Sequence, residues 1–473
     1  MTVVRRPSAG TSLHGGSIRL PPNACTHEAA IFVRPWTGET GTVGSVAVVG
    51  AGKMGLPLAA QFASHGWRVI AVDINQEVVD AINAGRSHVE EEPGLAPLVE
   101  RVREEGRLRA TSDGEAAARE ADVVVLIVPV MLDEARRPDY RYMDPAVAGI
   151  ARGIHAGSTV IFETTLPIGV TRTRFAPVLE RTSALEAERD LFVAFSPERL
   201  FSGAVLANLA TYPKLVGGVG PASTDRAARF YASVLDAEVV AMSSAEAAEF
   251  SKLADTTYRD VNIALANELA AAADAHGIDV QEVIAAANSQ PYSHIHQPGI
   301  GVGGHCIPVY PHLLLAGAPG LRIVEAAREV NDGQVDRAVA TLETLLHGLG
   351  GAPVLVLGLT YRERVKELAY SRALPLIEHL RAAGAEVAAF DPLLDEEEIT
   401  ALHATPWAWG APGPFRAIVT QTGDPQFGAL DAAWFPALEV VYDGRNSIRT
   451  LALPPGVTYV GVGVQAATRD DPA

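Results

Sequence analysis

A glycine-rich segment directly after a short β-branched run constrains the fold more than any other feature of the chain. Residues 45–50 have the sequence SVAVVG, which predicts a buried strand. Gly50-Ala51-Gly52-Lys53-Met54-Gly55 follows, and the apolar spacing of residues 57–66 predicts a helix ending at Gly66. Glycines in such a turn let the backbone approach a pyrophosphate at the helix N-terminus. The segment therefore predicts a dinucleotide-binding unit rather than a turn used only for packing.

An acidic residue in the expected position refines the choice of dinucleotide. Asp73 ends the second predicted strand, residues 67–73, about 20 residues after the glycine turn. A carboxylate there accepts hydrogen bonds from a ribose hydroxyl and repels a 2′-phosphate. The sequence therefore predicts NAD as the cofactor, in preference to NADP.

The alternation of strands and helices continues and predicts an α/β fold with a doubly wound parallel sheet. Further buried strands are predicted in residues 121–129, 158–165 and 191–197. Between residues 222 and 345 strand patterns are nearly absent, and an Ala-rich helical pattern of more than 30 residues surrounds Lys252. Its spacing predicts a buried or interface helix. The apolar positions are Phe250, Leu253, Thr257, Val261, Ala264 and Leu265.

An α/β pattern returns after residue 350, with APVLVLGLTY, a helix, AEVAAFDP, RAIVTQTG and LEVVYDG. We therefore expect two Rossmann-like domains joined by a central helical dimerisation domain, with a homodimer formed through the long helix. The predicted segments are a loose extension (1–44), an NAD-binding domain (45–221), the helical domain (222–349), a second Rossmann-like domain (350–465) and a tail (466–473).

Charge and cysteine content exclude several classes of protein. The net charge of -18 argues against a nucleic-acid or anionic-lipid surface. Only Cys25 and Cys306 are present, too few for a disulfide framework. No uninterrupted apolar run approaches the roughly 18 residues of a membrane-spanning helix. These observations predict a soluble cytoplasmic protein that binds neither nucleic acid nor membrane.

Cys306 lies in a glycine-rich loop, Gly299-Ile300-Gly301-Val302-Gly303-Gly304-His305-Cys306-Ile307-Pro308. A lone cysteine is most often a small buried hydrophobe, but glycines that bring backbone close to another group favour a nucleophile held in a fixed loop. A zinc site is the alternative, because His294 and His296 would share one face of a strand. The absence of a Cys-x-x-Cys pair disfavours it, and no metal is predicted.

Lys252 and Glu198 are candidate site residues, and for each the alternative is an ordinary charged residue on the protein surface. Lys252 shares its helix face with Thr256 and Arg259, and would otherwise be a solvated lysine. Glu198 follows a buried strand at its carboxyl end, where α/β proteins place function, and would otherwise be a surface carboxylate.

Seven ordered motifs resemble those of the UDP-glucose/GDP-mannose dehydrogenase family over residues 45 to 460. The motifs are GAGKMGLP, ETTLPIG, SPERLFSG, SKLADTTYRDVNIALANE, GVGGHCIP, VLVLGLTY and DGRN. The segments around Glu198, Arg259 and Cys306 are most similar to the UDP-N-acetylmannosamine/N-acetylglucosamine 6-dehydrogenase branch. The resemblance implies NAD on the first domain, the UDP moiety of a UDP-sugar on the last, and four-electron oxidation of the C6 alcohol to a uronic acid.

The resemblance also implies roles for individual residues. Cys306 would be the covalent nucleophile, Lys252 would stabilise alkoxide-like intermediates, Glu198 would serve acid/base work, and Thr165 would position water. The implied NAD site comprises Gly50, Gly52, Lys53, Met54, Gly55, Asp73, Pro129 and Thr165. The implied substrate site comprises Glu198, Arg199, Leu200, Lys252, Gly299, Gly301, Gly303, Tyr361, Arg362 and Arg445.

Three departures from the family pattern affect the expected chemistry. Thr256 stands where the family has Asn, Tyr310 where it has Asp, and Tyr292 replaces a substrate-reading arginine of the branch. These changes leave the sugar and the rate of thioester hydrolysis open. Two alternatives follow: a single-hydride β-hydroxyacid or 6-phosphogluconate-type dehydrogenase, which would not need Cys306, and a nucleotide-sugar-binding protein with weakened catalysis.

Overall fold

A computed structural model describes residues 2–4, 18–19, 44–201 and 203–468. These residues form two compact units. The first unit comprises the described residues up to Ala254 together with His312–Pro319, and the second comprises Asp255–Pro311 and the described residues from Gly320 onward.

The first unit is built on a large, mainly parallel sheet with helices on both faces. Its strands are β1 (Thr2–Val4), β2 (Ile18–Arg19), β3 (Ser45–Val49), β4 (Arg68–Val72), β5 (Leu108–Thr111), β6 (Val123–Leu126), β7 (Met131–Leu132), β8 (Pro138–Asp139), β9 (Thr159–Phe162), β10 (Phe192–Phe195), β11 (Lys214–Gly218) and β12 (Val239–Ala241). Ten of them form one sheet in the order β2-β1-β12-β11-β10-β9-β6-β3-β4-β5, and β7 and β8 form a separate hairpin. The predicted doubly wound sheet is confirmed.

Helices cover this sheet because every residue of β3 is buried and both faces need apolar partners. They are α1 (Gly55–Ser64), α2 (Gln76–Asn83), α3 (Leu95–Glu104), α4 (Gly114–Glu120), α5 (Met143–Ala151), α6 (Ala176–Ser183), α7 (Val205–Thr211) and α8 (Pro221–Val234). A π-helical turn, Thr171–Phe175, leads into α6. Phe62 of α1 and Phe230 of α8 pack edge to face on one side of the sheet, and Phe162 stacks on Phe175 on the other.

The long predicted helix is α9 (Ala245–His276). Leu253, Thr257 and Ala264 on this helix are buried, whereas Phe250 and Leu265 are 49% and 46% exposed in the single chain. None of the helices in the described part of the chain combines the length and apolarity needed to cross a membrane.

The second unit contains a smaller sheet of the same type. Its strands are β13 (Pro353–Leu357), β14 (Glu386–Phe390), β15 (Thr405–Pro406), β16 (Ala417–Thr420), β17 (Val440–Asp443), β18 (Thr458–Gly461) and β19 (Val464–Thr468), in the order β15-β14-β13-β16-β17-β18-β19. Only β19 is antiparallel to its neighbour. The remaining α-helices are α10 (Val280–Asn288), α11 (Tyr310–Gly317), α12 (Arg322–Asp332), α13 (Gln334–Leu345), α14 (Ala373–Ala382) and α15 (Glu396–Ala401), and of these α11 belongs mostly to the first unit.

Several predicted limits need correction. Strand β12 lies inside the segment 222–349 that was expected to be helical, because it pairs with β11 and extends the first sheet. The predicted tail from residue 466 includes the end of β19. Most of the predicted extension at 1–44, Cys25 included, lies outside the described residues, but β1 and β2 of that segment pair at the edge of the first sheet.

Candidate active site

The glycine turn of the first unit has the geometry that a bound pyrophosphate requires. Gly50 has a φ of +97°, a left-handed conformation that favours glycine. A Cβ at Gly55 would lie 1.7 Å from the Gly50 carbonyl oxygen, so α1 can approach the turn only without a side chain there. A Cβ at Gly52 would meet nothing within 4 Å, which leaves that backbone open to an approaching ligand. The three glycines thus fit the three roles of a dinucleotide turn.

Asp73 is fixed beside this turn. The Ala51 N–H donates to its Oδ2 (3.0 Å) and the Asn75 N–H donates to its Oδ1 (2.9 Å). Asp73 directly follows β4 and therefore lies at the C-terminal edge of the sheet, where a ribose hydroxyl would bind. Lys53 forms an ion pair with Glu91 (2.7 Å) and Met54 precedes the first residue of α1. These residues fit NAD.

Pro129 and Thr165 follow neighbouring strands at the same edge. Pro129 is exposed three residues after β6, and Thr165 is buried three residues after β9. The hydroxyl of Thr164 donates to the Val128 carbonyl (2.6 Å) and so ties the two strand ends together.

Glu198 also belongs to the first unit and is mostly buried. Its Oε1 accepts the Arg199 N–H (2.7 Å), and its Oε2 lies 3.2 Å from the Lys214 ammonium. Glu198, Arg199 and Leu200 line a small cavity with residues of the segment that precedes β11. The surface-carboxylate interpretation of Glu198 is wrong, because Lys214 and the cavity enclose it.

Lys252 and Thr256 lie one turn apart on α9, and both are buried, with 7% and 3% exposure. Lys252 is therefore not a solvated lysine. One turn before it, the carboxylate of Glu249 accepts the N–H groups of Gly169 (2.5 Å) and Thr171 (2.9 Å). Burial raises the pKa of Glu249 to about 7.

The loop that carries Cys306 belongs to the second unit and is anchored at both ends. The Ile300 N–H donates to the Gly444 carbonyl (3.3 Å), and the Gly304 N–H donates to the Ala369 carbonyl (3.1 Å). The Cys306 carbonyl accepts the Tyr310 N–H (2.9 Å), so the cysteine lies one turn before the first residue of α11. Its thiol is free and exposed, which excludes the buried-hydrophobe interpretation.

The glycines of this loop are needed because other side chains lie against them. A Cβ at Gly299 would lie 2.9 Å from Arg445 Nη1, and one at Gly301 would lie 3.0 Å from Arg372 Nε. A Cβ at Gly303 would lie 2.9 Å from the Cβ of Tyr361. The cysteine loop therefore packs directly on Tyr361 and Arg445, the residues expected to bind the nucleotide.

Arg445 is suited to an anionic ligand. Its Nε donates to the Gln421 carbonyl (3.0 Å), and it forms no ion pair with any carboxylate among the described residues. Partial burial lowers its pKa, because it disfavours the charged form of the guanidinium. The neighbouring Arg362 guanidinium lies 5.9 Å from the ring centre of Tyr361.

The glycine turn of the second sheet differs from that of the first. The Asp391 carboxylate accepts the N–H groups of Leu359 (2.6 Å) and Thr360 (3.0 Å). A Cβ at Gly358 would lie 2.1 Å from the Thr422 hydroxyl oxygen. Asp391 thus occupies two backbone N–H groups of the second turn, whereas Asp73 occupies one, that of Ala51, in the first.

Three family models match the chain in order. They are the NAD binding domain (residues 44–235), the central domain (246–333) and the UDP binding domain (355–450) of the UDP-glucose/GDP-mannose dehydrogenase family. The chain belongs to this family. The NAD binding domain match contains β3 to β11 of the first unit, and the UDP binding domain match contains β14 to β17 of the second.

Named relatives lie in the N-acetylhexosamine branch. The UDP-N-acetyl-D-mannosamine dehydrogenase of Pyrococcus horikoshii is 33% identical over 426 residues, covering 88% of this chain and 99% of the relative. The NDP-N-acetyl-D-galactosaminuronic acid dehydrogenase of Ralstonia solanacearum is 36% identical over 340 residues, covering 70% and 79%.

Solved structures of named dehydrogenases have a similar fold. The UDP-D-ManNAc dehydrogenase of P. horikoshii has a TM-score of 0.79 at 32% identity, covering 89% of this chain and 99% of the other. A UDP-glucose dehydrogenase from Pyrobaculum islandicum has a TM-score of 0.79 at 27% identity, covering 91% and 100%.

The residues of the zinc alternative do not converge. Residues 293–299 form no strand, so His294 and His296 do not share a strand face. Within the described ranges, no three His, Cys, Asp or Glu side chains are grouped closely enough to hold a metal ion.

Sequence reasoning missed the side chains that surround Glu198. Lys214, Glu163 and Tyr231 are each buried and each lies in or beside an apolar run. A charged residue inside a run of otherwise buried residues is the signal that could have identified them.

Proposed function

We propose that the chain oxidises the C6 hydroxyl of a UDP-hexose or UDP-N-acetylhexosamine to a carboxylate, using two NAD and Cys306 as a covalent anchor. One observation carries the proposal: the loop bearing an exposed thiol packs on Tyr361 and Arg445 of the UDP-binding domain. This packing supports the proposal because a nucleotide bound at Arg445 would lie beside the loop that carries Cys306.

The chemistry explains why a cysteine is needed. When bound, NAD accepts a hydride in each of two successive oxidations. The aldehyde formed first must be retained, and attack by the Cys306 thiolate holds it as a thiohemiacetal. Loss of the second hydride leaves a thioester on Cys306, and water cleaves it to the acid and the free thiol.

Other residues supply charge and proton transfer. The buried Lys252 ammonium stabilises the oxyanions of these intermediates, with the Thr256 hydroxyl one helical turn away in the place of the family's amide. Glu198 exchanges protons with the reacting hydroxyl and water, and Thr165 positions that water. Asp73 and the glycine turn hold the adenosine and pyrophosphate of NAD.

We further propose an N-acetylhexosamine as the sugar. Relatives at 33% and 36% identity are named for N-acetylhexosamine derivatives. Tyr292, which stands in place of the branch's arginine, is 92% exposed and follows α10 in the second unit. An aromatic ring there changes recognition of the sugar without removing the UDP site.

A homodimer formed through α9, in the cytoplasm, completes the proposal. Phe250, Tyr258 and Leu265 recur at seven- to eight-residue spacing on α9 and are 49%, 56% and 46% exposed. Apolar residues at this spacing form one stripe along a helix, and pairing two such stripes would bury them. Sedimentation equilibrium should give a dimer, and Leu265→Lys should yield monomers.

A substrate panel tests the activity. Purified protein is mixed with NAD and, separately, UDP-glucose and the UDP-linked N-acetyl derivatives of glucosamine, mannosamine and galactosamine. We expect NADH formation and a product 14 mass units above the substrate with at least one N-acetyl sugar. NADH formation with none of the four UDP-sugars would contradict the proposal. A product lighter by two mass units would favour a single-hydride dehydrogenase, and UDP-sugar binding without turnover would favour a binding protein.

A further inference from the structure

A buried cluster of ionisable groups lies behind Glu198 in the first unit. The Lys214 ammonium is 3.0 Å from Oε2 of Glu163 and 3.2 Å from Oε2 of Glu198. The hydroxyl of Tyr231 donates to Oε1 of Glu163. Glu163 and Tyr231 are fully buried and Lys214 is 5% exposed. Two carboxyl groups thus share one buried ammonium, and of the two only Glu198, with 12% of its side chain exposed, borders the cavity.

The register of three strands builds this cluster. Phe195 of β10 pairs with Phe162 of β9 in parallel and with Gly217 of β11 in antiparallel register. Glu163 directly follows β9 and Lys214 begins β11, so continuing the register past the end of β10 brings position 198 opposite Lys214. The arrangement is therefore fixed by backbone pairing rather than by flexible side chains alone.

The surroundings give the two carboxyl groups different proton affinities. Burial raises the pKa of Glu163 to about 7, despite the attraction of Lys214. Burial also opposes the ionisation of Glu198, but the Lys214 charge and a hydrogen bond with Glu163 together lower its pKa below the usual range. The two carboxyl groups contact the same Lys214 ammonium and interact with each other, so they titrate as a coupled pair rather than separately.

We propose that Glu163 and Glu198 act as a single acid/base pair clamped by Lys214, in which Glu198 faces the substrate and Glu163 stores the proton. The inference rests on the proposed function. Starting from the doubly ionised pair, Glu198 accepts a proton from the reacting hydroxyl or water, whose oxygen keeps the bonding electrons. The proton then passes through the shared hydrogen bond to Glu163, and the pair later releases it to solvent. Lys214 remains an ammonium throughout.

This pairing makes Glu198 a more effective general base than it would be alone. A carboxylate stabilised by an ammonium is a weak base, whereas general-base catalysis is most effective when the proton affinity matches the working pH. Transfer of the accepted proton to Glu163 supplies that match. Lys214 and Glu163 therefore act through Glu198 as positioning residues.

The other polar groups around Glu198 do not replace this pair. The Arg199 N–H donates to Glu198 Oε1, while the Arg199 guanidinium donates to the Pro213 carbonyl. Tyr212 lines the cavity beside Glu198, and the hydroxyl of Ser196 donates to the Leu215 carbonyl (2.7 Å). Lys214 is thus the cation that the contacts place on both carboxyl groups.

Three variants test the pair through the pH profile of kcat. In the wild type we expect kcat to rise with pH, and the midpoint of this rising limb of the pH profile should lie near pH 7. Glu163→Gln keeps the shape but removes the proton store, so kcat at pH 7.5 should fall by at least about tenfold and the limb should move to lower pH. Tyr231→Phe removes a donor to the ionised Glu163, so the limb should move to higher pH.

Glu249→Gln is the matched control. Glu249 is as buried as Glu163, and its pKa is also raised to about 7. Its carboxylate, however, accepts the N–H groups of Gly169 and Thr171, and neither of these hydrogen bonds involves Glu198. This variant should leave the limb in place. Superimposable profiles for Glu163→Gln and wild type would overturn the proposal, and if Glu163→Gln does not fold, an unmoved limb in Tyr231→Phe would do so.

A titration without turnover separates this inference from the proposed function. In protein carrying 13C-labelled glutamate carboxyls, the Glu198 resonance should respond near pH 7 in wild type and lose that response in Glu163→Gln. Absence of the response in wild type would overturn the pair even if acid forms. Its presence in a protein that oxidises no UDP-sugar would retain the coupled pair and reject only the proposed function.

Discussion

Glu249→Gln should change the pH dependence of stability by an amount that follows from burial. Glu249 is fully buried, and burial raises its pKa from 4.5 to about 7. The folded state therefore favours the protonated form, and this contribution to stability is present below pH 4.5 and is lost as the pH rises through 7. Between pH 5 and pH 8 the free energy of unfolding should fall by about 2 to 3 kcal/mol from this residue alone. Gln cannot ionise and removes that dependence.

Urea unfolding of wild type and Glu249→Gln at pH 5 and pH 8 measures the effect. The variant should gain about 2 to 3 kcal/mol relative to wild type on going to pH 8. Glu246→Gln, one turn earlier on α9, is the control. The Arg172 ion pair lowers the pKa of Glu246 to about 2, so its contribution is lost only as the pH falls toward that value and is constant from pH 5 to 8. If the free energies of unfolding of wild type and Glu249→Gln differ by the same amount at pH 5 and pH 8, the reasoning is refuted.

Three further substitutions test the two nucleotide sites. Asp73→Ala should raise the KM for NAD and relax discrimination against NADP, and equal use of both cofactors by the wild type would contradict the assignment. Arg445→Ala should weaken UDP-sugar binding by about 1.5 to 3 kcal/mol in calorimetry while NAD binding barely changes; an unchanged Kd would remove Arg445 from the site. Gly303→Ala places a Cβ 2.9 Å from Tyr361 and from the Tyr370 carbonyl oxygen, so kcat should fall with NAD affinity retained; wild-type kcat would show that the loop tolerates displacement.

Local patterns made much of the fold predictable. The strand, glycine turn and helix around Gly52 are contiguous in sequence, and the closest contact that requires glycine at position 55 is with the Gly50 carbonyl oxygen of the same turn. The long helix α9 was predictable because its apolar spacing persists for many turns. Family motifs then supplied the order of the domains.

The Glu163–Lys214 cluster was not predictable in the same way. It depends on β10 pairing in opposite directions with β9 and β11, and pairing direction is not encoded in the pattern of either strand alone. Strand β12 was not predicted because it has only three residues and lies in a region whose pattern is mainly helical. The glycines around Cys306 were predicted to bring backbone close to another group, but only the fold shows that the groups are Arg445 and Tyr361.

The ratio of NADH formed to UDP-sugar consumed, measured in wild type and Cys306→Ala, tests the central claim most directly. We expect two NADH per sugar and a uronic acid from wild type, and almost complete loss of the acid in Cys306→Ala. Intact-protein mass spectrometry of the wild type during turnover should show the sugar-nucleotide covalently attached to Cys306, more so if Thr256 and Tyr310 slow hydrolysis. One NADH per sugar with an aldehyde or ketone product, together with an active Cys306→Ala variant, would contradict the account.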